Sequence, residues 1–215
     1  MGPGGAMIGR IIETPECVAE GAAYLAGLDN RFANALKLTG ELPLRRRPDG
    51  FAQLFSAIVS QQVSTASAAA IWARLEAANL TGPGEVSGAS DEDFRACGMS
   101  RQKIRYGRAL AAANIDFDDL RERPDSEVIK TLVAVPGIGP WTAEVYAMFS
   151  LGRADVFAPG DLALQEAARI LFDLPARPSE KVFRQLAEAW SPWRAVAARL
   201  LWAYYRVAKD REGIR

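Results

Sequence analysis

The chain has 215 residues, no histidine, two cysteines and a formal net charge of zero, with 26 basic and 26 acidic side chains. The lack of histidine excludes a Ser-His-Asp triad, a Cys-His dyad and an imidazole base, and it argues against zinc or non-haem iron sites. Cys17 and Cys97 are too few for a four-thiolate iron–sulfur cluster or a disulfide framework, and they suit a reducing compartment. With 49% hydrophobic residues, the chain can bury a core.

The N-terminal segment shows no sign of membrane targeting. Residues 1–10 begin with a Gly/Pro-rich stretch that lacks the charged start and apolar run of a signal peptide. We expect these residues to form a disordered tail. No apolar run approaches the roughly 18 residues that a membrane span needs, so no membrane partner is expected.

Apolar residues recur at helical spacing from Phe51 to Val63, and similar patterns follow along the chain. The segment Thr81-Gly-Pro-Gly84 predicts a break, and Ser90 with Asp93 predicts a capping box that opens a short helix. Strand-like alternation is absent, so we expect an all-α protein of about ten helices. The later predicted helices cover residues 100–114, 125–136, 140–151, 161–172, 179–190 and 192–209.

Although the net charge is zero, the basic side chains are clustered. Three consecutive arginines occupy residues 45–47, and residues 101–108 contain four basic and no acidic side chains. Residues 194–215 carry six basic and two acidic side chains, while acidic residues gather at 116–127. This separation is compatible with a basic face that binds nucleic acid, and equally with ordinary solvated helix surfaces.

The segment 132–143 (LVAVPGIGPWTA) predicts a helix, a tight turn and a second helix. Pro136 ends the first helix, and Gly137 and Gly139 permit positive φ and close approach by another molecule. The second helix then presents unpaired backbone N–H groups, which bind phosphate without regard to base sequence. An ordinary helical hairpin is the alternative interpretation. The phosphate-binding candidates are Gly137, Gly139 and Thr142.

A second motif, Asp155-Val-Phe-Ala-Pro-Gly-Asp161, follows this hairpin. Together the two motifs resemble the helix-hairpin-helix plus Gly/Pro-Asp superfamily of DNA base-excision glycosylases, and most closely its 3-methyladenine DNA glycosylase II family. Other matching pieces occur in the family's order over most of the chain. They are IVSQQVS at 58–64, GMSRQK at 98–103, GPWTA at 139–143, and SPWR at 191–194 leading to Leu201-Trp202.

The resemblance implies two helical subdomains with a cleft between them. A central bundle over residues 49–174 would contain the helix-hairpin-helix (132–151) and the catalytic loop (155–161). Residues 11–48 and 175–215 would form the second lobe. We expect no extra N-terminal β domain of the kind that some family members have, since an all-helical chain of 215 residues leaves no room for one.

The resemblance also implies a catalytic aspartate in the Gly/Pro-Asp loop, here Asp161. Cleavage of an N-glycosidic bond builds positive charge on the sugar, and a fixed carboxylate stabilises that charge and can orient the attacking water. Asp161 also stands where a helix N-cap is expected, and the two roles are compatible. Asp155 is the alternative acid, for which we expect a structural role.

Bifunctional members of the superfamily carry a Schiff-base lysine two residues beyond the second hairpin glycine, where this chain has Trp141. We therefore expect a monofunctional enzyme without AP-lyase activity. The missing four-cysteine cluster argues against the endonuclease III and adenine-mismatch branches. Alkylation at a ring nitrogen makes a purine in DNA cationic, and aromatic faces attract cations. The resemblance implies Trp141 and Trp202 as pocket walls, with Tyr205 one turn further on; core packing is the alternative for both tryptophans.

Extraction of a damaged nucleotide leaves a gap in the base stack that the enzyme must fill. In the family, a Gln-Gln-Leu-Ser region at a helix end supplies this wedge, and the present chain has Gln61-Gln62-Val63-Ser64. Gln62 and Val63 are therefore the wedge candidates, with valine in place of the usual, longer leucine. The alternative is that Val63 is the last core residue of its helix.

The family hairpin tends to hold a monovalent cation through backbone carbonyls. By position these carbonyls belong to Val133, Val135 and Gly137. Carbonyl oxygens suit hard cations such as K⁺ or Na⁺. No cofactor is expected for catalysis.

The expected function is hydrolytic release of alkylated bases, such as 3-methyladenine or 7-methylguanine, from duplex DNA, leaving an abasic site in base excision repair. The alternatives are a non-catalytic DNA-binding module that uses the same hairpin, and a monofunctional glycosylase for another lesion such as ethenoadenine or a deaminated base. We expect a monomer in the bacterial cytosol or nucleoid, with duplex DNA containing alkylated bases as its partner.

Overall fold

The computed structural model describes residues 8–211. Within this range it contains helices and no β-strand, which confirms the all-α prediction; an isolated bridge pairs Ile11 with Arg153. No described helix is both long and apolar enough to cross a membrane. The helices are α1 (Pro15–Leu28), α2 (Asn30–Thr39), α3 (Phe51–Ser60), α4 (Thr65–Ala77), α5 (Pro83–Gly88), α6 (Asp91–Ala96), α7 (Arg101–Ala112), α8 (Phe117–Glu122), α9 (Asp125–Val133), α10 (Pro140–Phe149), α11 (Leu162–Leu171), α12 (Glu180–Ala187) and α13 (Arg194–Arg211), with a 3₁₀ turn at Glu188–Trp190.

Side-chain caps explain where several helices begin. The capping box predicted at the start of α6 is present. Ser90 Oγ accepts the backbone N–H of Asp93 at 3.2 Å, and Asp93 Oδ2 accepts the backbone N–H of Ser90 at 2.9 Å. Ser100 caps α7 by accepting the N–H of Lys103 at 3.3 Å. These bonds satisfy donors that the first turn of a helix leaves unpaired.

Short helices account for much of the difference between the predicted and observed secondary structure. α5 begins at Pro83, inside the segment predicted as a break, because proline suits the first turn of a helix. α8 follows Asp116, whose carboxylate accepts two backbone N–H groups of the first turn. The helix predicted to start at Pro192 starts instead at Arg194, and Pro192 lies in the preceding turn.

The chain divides into two compact units, of which the first comprises residues 1–46 and 147–215. In its described part, α13 packs against α1, α2 and α11. The approach of α1 is close, since a Cβ added at Gly21 would lie 2.6 Å from Val196 and 2.7 Å from Trp193. The core of this unit holds an aromatic cluster of Phe32, Phe157, Phe172, Phe183 and Trp190.

The second unit comprises residues 47–146 and includes α3 to α9. Its centre is the contact of α3 with α4 and α7. Gly107 on α7 permits this contact, because a Cβ there would lie 2.6 Å from the ring of Phe55. The Phe55 ring also meets the rings of Trp72 and Phe94 edge-on, at centroid distances of 5.9 and 6.5 Å.

The boundary between these units differs from the predicted one. The prediction assigns residues 147–174 to the central bundle, whereas in the structure they group with the N- and C-terminal segments. Backbone hydrogen bonds show why. The N–H of Ala154 donates to the carbonyl of Arg10 at 3.0 Å, and the N–H of Ala195 donates to the carbonyl of Ala154 at 2.8 Å.

The predicted N-terminal tail falls mostly outside the described residues, since residues 1–7 are not among them. At its last position, the guanidinium of Arg10 forms an ion pair with Glu20. The same guanidinium lies 5.4 Å from the ring centre of Trp193. Arg10 is therefore packed against the first unit.

Candidate functional site

Asp161, the predicted catalytic acid, caps α11 and also binds an indole. Its Oδ1 accepts the backbone N–H groups of Ala163 and Leu164 at 2.9 and 3.0 Å. The same oxygen accepts the indole N–H of Trp202 on α13 at 3.2 Å. The carboxylate is therefore oriented by three donors, so helix capping and a fixed position beside an aromatic ring occur together.

The loop that carries Asp161 is anchored by the buried side-chain amide of Gln165. Gln165, which is 8% exposed, lies one turn into α11 and donates from Nε2 to the carbonyl of Pro159 at 2.7 Å. The N–H of Asp161 donates to the carbonyl of Ala158 at 3.1 Å. Gln165 belongs to none of the sequence motifs, although a polar residue on the apolar face of a predicted helix is a usable signal.

Trp202 is half-buried, so part of its indole is accessible while the rest packs on Phe149. The two ring centres are 5.7 Å apart. Behind Phe149 lies the guanidinium of Arg199, 4.7 Å from the phenyl ring centre. The alternative interpretation is that Trp202 only packs in the core. In the structure its indole also donates a hydrogen bond to Asp161.

Arg199 is fully buried, and its described hydrogen bonds go to backbone carbonyls. Its Nε and Nη2 donate to Leu44 at 3.2 and 3.0 Å, and its Nη1 donates to Ala195 at 2.9 Å. Burial, and then the positive charges of Arg45 and Arg46, lower the pKa of Arg199 to about 10. The group therefore stays cationic at neutral pH behind the aromatic pair.

Tyr205, the third predicted pocket residue, is half-buried one turn beyond Trp202. The ammonium of Lys209 lies 5.6 Å from its ring centre. The described contact of Tyr205 is thus with its own helix, and its pocket role stays a prediction.

Asp155, the alternative acid, has a structural environment. Its carboxylate forms a two-point ion pair with Arg194, at 2.7 Å to Nε and 3.0 Å to Nη2. Ser191 Oγ donates to Asp155 Oδ2 at 2.8 Å. These bonds hold the start of α13, which agrees with the structural role expected for this residue.

The predicted hairpin is present as α9, a turn over residues 134–139, and α10. Gly137 has φ +95°, and a Cβ there would lie 2.4 Å from Cγ of Tyr106, so glycine is required. Gly139 is exposed, and a Cβ added to it would meet nothing within 4 Å. Trp141, 48% exposed, and the half-buried Thr142 follow in the first turn of α10.

The carbonyls predicted to bind a cation lie along the first helix end and the turn. Val135 accepts the N–H of Ile138 at 3.0 Å, and Gly137 accepts the side-chain amide of Gln61 at 2.8 Å. Val133 is the last residue of α9, where carbonyls lose their helical partners. Each carbonyl oxygen has two lone pairs, so the three groups are compatible with a cation. Among the described side chains, no group of three acidic or cysteine residues is arranged to hold a metal.

The predicted wedge residues occupy the turn between α3 and α4. Gln62 has φ +56° and is exposed, and Val63 is 39% exposed. Val63 is therefore not a core residue of its helix, which removes the alternative interpretation. Ser64 caps α4 by accepting the N–H of Ser67 at 3.1 Å.

The basic cluster at residues 101–108 is divided by the structure. Arg101 and Arg105 are exposed. Lys103 instead donates from Nζ to the carbonyl of Val59 at 2.6 Å, and burial lowers its pKa. Arg108 forms an ion pair with Asp91 at 2.9 Å. Two of the four side chains therefore have internal partners.

Comparison with known proteins identifies the family of this chain. The family model of the HhH-GPD superfamily base excision DNA repair protein matches residues 55–192. The DNA-3-methyladenine glycosylase 1 of Schizosaccharomyces pombe is 30% identical over 204 residues, covering 89% of this chain and 90% of the relative.

Two solved structures have a similar fold and more than 30% identity. A DNA-3-methyladenine glycosidase from Bacillus halodurans has a TM-score of 0.80 and 32% identity, over 94% of both chains. The Schizosaccharomyces pombe 3-methyladenine DNA glycosylase Mag1 in complex with abasic DNA has a TM-score of 0.74 and 31% identity, over 85% of this chain and 95% of that one. The resemblance inferred from the motifs is thereby confirmed, and the chain belongs to the HhH-GPD superfamily of base excision DNA repair proteins.

Proposed function

We propose that this protein is a monofunctional DNA glycosylase that hydrolytically removes alkylated bases, of the 3-methyladenine and 7-methylguanine type, from duplex DNA. The product is an abasic site that enters base excision repair. The observation that carries the proposal is the carboxylate of Asp161, fixed by two backbone N–H groups beside the indole of Trp202. A relative that is similar over most of its length is a DNA-3-methyladenine glycosylase.

The role of Asp161 follows from the charge that develops during the reaction. As the base departs, the sugar becomes positively charged, and a preorganised carboxylate stabilises that charge more than it stabilises the ground state. Two backbone N–H groups at the N-terminus of α11 hold the carboxylate in place. Because a purine alkylated at N3 or N7 is already a cation, it leaves without a general acid, in keeping with a chain that contains no histidine. Members of this family need no catalytic cofactor.

Aromatic faces are the proposed means of selecting a cationic base. Trp202 offers such a face beside Asp161, and Trp141 offers an exposed one at the start of α10. A cation over an indole gains about 0.5–2 kcal/mol relative to a neutral base of the same shape. Tyr205 is proposed as a third, weaker contact.

The hairpin is proposed to hold the DNA backbone. Its exposed Gly139 and the first turn of α10 present N–H groups that suit a phosphate, and Gly137 allows the close turn that places them. Thr142 adds a hydroxyl. Gln62 and Val63 are proposed to enter the stack where the damaged nucleotide leaves it, because both are exposed at the tip of the α3–α4 turn.

A monovalent cation, K⁺ or Na⁺, is proposed at the carbonyls of Val133, Val135 and Gly137. It would stiffen the turn and add positive charge next to a bound phosphate. Exchange of K⁺ for tetramethylammonium, which is too large for such a site, should then weaken binding to abasic DNA more than the change in ionic atmosphere does.

The absence of lyase activity is proposed from Trp141, which stands where bifunctional relatives carry the Schiff-base lysine. Treatment with borohydride during turnover should trap no covalent protein–DNA complex. A trapped complex would mean that another lysine attacks the sugar.

We further propose that the protein acts as a monomer in the bacterial cytosol.

The direct test is release of free base from methylated duplex DNA under single-turnover conditions. We expect the native protein to release 3-methyladenine and Asp161→Asn to lose nearly all activity while still binding abasic DNA. Asp173→Asn is a matched control, because Asp173 is exposed with φ +51°, a conformation that asparagine tolerates.

Two results would redirect the proposal. Activity that survives in Asp161→Asn would move the chemistry to another residue. Binding without release of any methylated base would favour a different lesion or a binding module, which a panel with ethenoadenine and deaminated bases would separate.

A further inference from the structure

A side-chain amide joins the turn that carries the wedge candidates to the hairpin. Gln61 is the C-cap residue of α3 and is half-buried. Its Nε2 donates to the carbonyl of Gly137 at 2.8 Å, across 76 positions of sequence. Gln61 itself is therefore turned away from the exposed tip that Gln62 and Val63 occupy.

Helix α7 supports both ends of this connection. The ring of Tyr106 lies against Gly137 so closely that no Cβ fits between them, and Gln102 Nε2 donates to the Tyr106 hydroxyl at 2.7 Å. One turn earlier, Lys103 Nζ donates to the carbonyl of Val59, near the C-terminal end of α3, at 2.6 Å. The hairpin turn and the last turn of α3 are thus both fastened to one helix.

A cavity of about 240 Å³ lies among these groups, lined in part by Gln61, Lys103 and Tyr106. It is several times larger than one water molecule. This cavity lies between the α3–α4 turn and the start of α7, so that turn is not closely packed against the helix. The hydrogen bond of Gln61 is the described direct bond between the α3–α4 turn and the hairpin turn.

We propose that Gln61 is a positioning residue that couples the phosphate-binding hairpin to the α3–α4 turn, which carries Gln62 and Val63. Docking of a phosphate on the hairpin then sets the depth at which Gln62 and Val63 enter the DNA. The residue makes its contribution through Gly137 and its own turn, without touching the damaged base. This inference rests on the proposed glycosylase function.

The test compares Gln61→Met with the native protein. Methionine has a similar length but donates no hydrogen bond, and Gln185→Met on the exposed face of α12 is the matched control. The substrates carry the same methylated base either paired in a duplex or opposite an abasic site, where less pairing energy opposes extrusion.

We expect Gln61→Met to slow single-turnover base release from the paired duplex by about fivefold or more. This factor corresponds to the net free energy of one neutral hydrogen bond. Release from the duplex with the opposing abasic site should change by less than about twofold, as for the control. Gln61→Glu should be slower still on the paired duplex, because its carboxylate faces the Gly137 carbonyl. Equal slowing on both duplexes, or no slowing, would overturn the proposal.

A second measurement does not depend on activity. Amide hydrogen exchange over residues 133–142 should accelerate in Gln61→Met and stay unchanged in Gln185→Met, because the hairpin loses one of its attachments. If the native protein releases no base, the proposed function fails while exchange still tests the coupling. Unchanged exchange in Gln61→Met would overturn the coupling whatever the activity.

Discussion

The indole N–H of Trp202 donates a hydrogen bond to Oδ1 of Asp161 across 3.2 Å, and so joins two residues that are 41 positions apart. The ring that offers an aromatic face therefore also orients the acid. Because α11 contributes two backbone donors to the same oxygen, the carboxylate has little freedom to rotate.

Replacement of Trp202 separates these two contributions. Trp202→Phe keeps an aromatic face but removes the donor, so we expect kcat to fall about tenfold, with a smaller change in KM. Trp202→Ala should impair both parameters. The comparison requires single-turnover and steady-state kinetics on methylated DNA; a Trp202→Phe enzyme with native kcat would show that the hydrogen bond has no catalytic value.

Gln165 is expected to hold the loop that carries Asp161. Gln165→Met removes the donor to the Pro159 carbonyl and leaves that buried group unpaired, at a cost of about 1–3 kcal/mol in the free energy of unfolding. Base release should fall more than binding to abasic DNA. Urea unfolding and single-turnover assays measure the two effects, and native values in both would contradict the assignment.

The two hairpin glycines should respond differently to alanine. Gly137→Ala places a Cβ 2.4 Å from Tyr106 in a backbone with φ +95°, so both stability and DNA binding should fall. Gly139→Ala meets open space, so the melting temperature should stay within about 2 °C of native. Its new methyl group would still stand at the proposed phosphate-binding position. DNA affinity should therefore drop uniformly across sequences, as binding titrations with several duplexes can show.

The buried hydroxyl of Tyr146 should make the folded protein less stable at alkaline pH. Burial raises the pKa of Tyr146 from about 10 to about 12, against the smaller opposite effect of the Gly50 N–H that donates to its oxygen at 2.8 Å. The folded state thus keeps a proton that the unfolded chain loses, so this contribution is complete below pH 10 and disappears as pH rises from 10 to 12. The shift corresponds to roughly 2–3 kcal/mol.

The measurement is chemical denaturation at pH 8 to 11.5. The native protein should lose stability over this range more steeply than Tyr146→Phe, which has no proton to lose. Parallel curves for the two proteins would assign the alkaline effect to other groups.

Local features of this chain were predictable because they depend on neighbouring residues. Ser90 and Asp93 form the predicted capping box, and the Pro-Gly-Ile-Gly segment ending at Gly139 forms the predicted turn between two helices. The helical class follows from apolar spacing, and the motif at Asp161 with the hairpin was enough to identify the family. Short helices such as α5 were missed because six residues carry too little periodicity.

Contacts between distant segments required the tertiary structure. The bond from Gln61 to Gly137 and the bond from Trp202 to Asp161 depend on how helices pack, which no local pattern specifies. For the same reason the sequence misplaced residues 147–174, whose backbone bonds with both chain ends place them in the first unit. The residue types that are available for the chemistry, and the starts of capped helices such as α6, follow from the sequence alone. Packing decided which of those side chains share a hydrogen bond, because donors and acceptors far apart in the chain meet only after the core has formed.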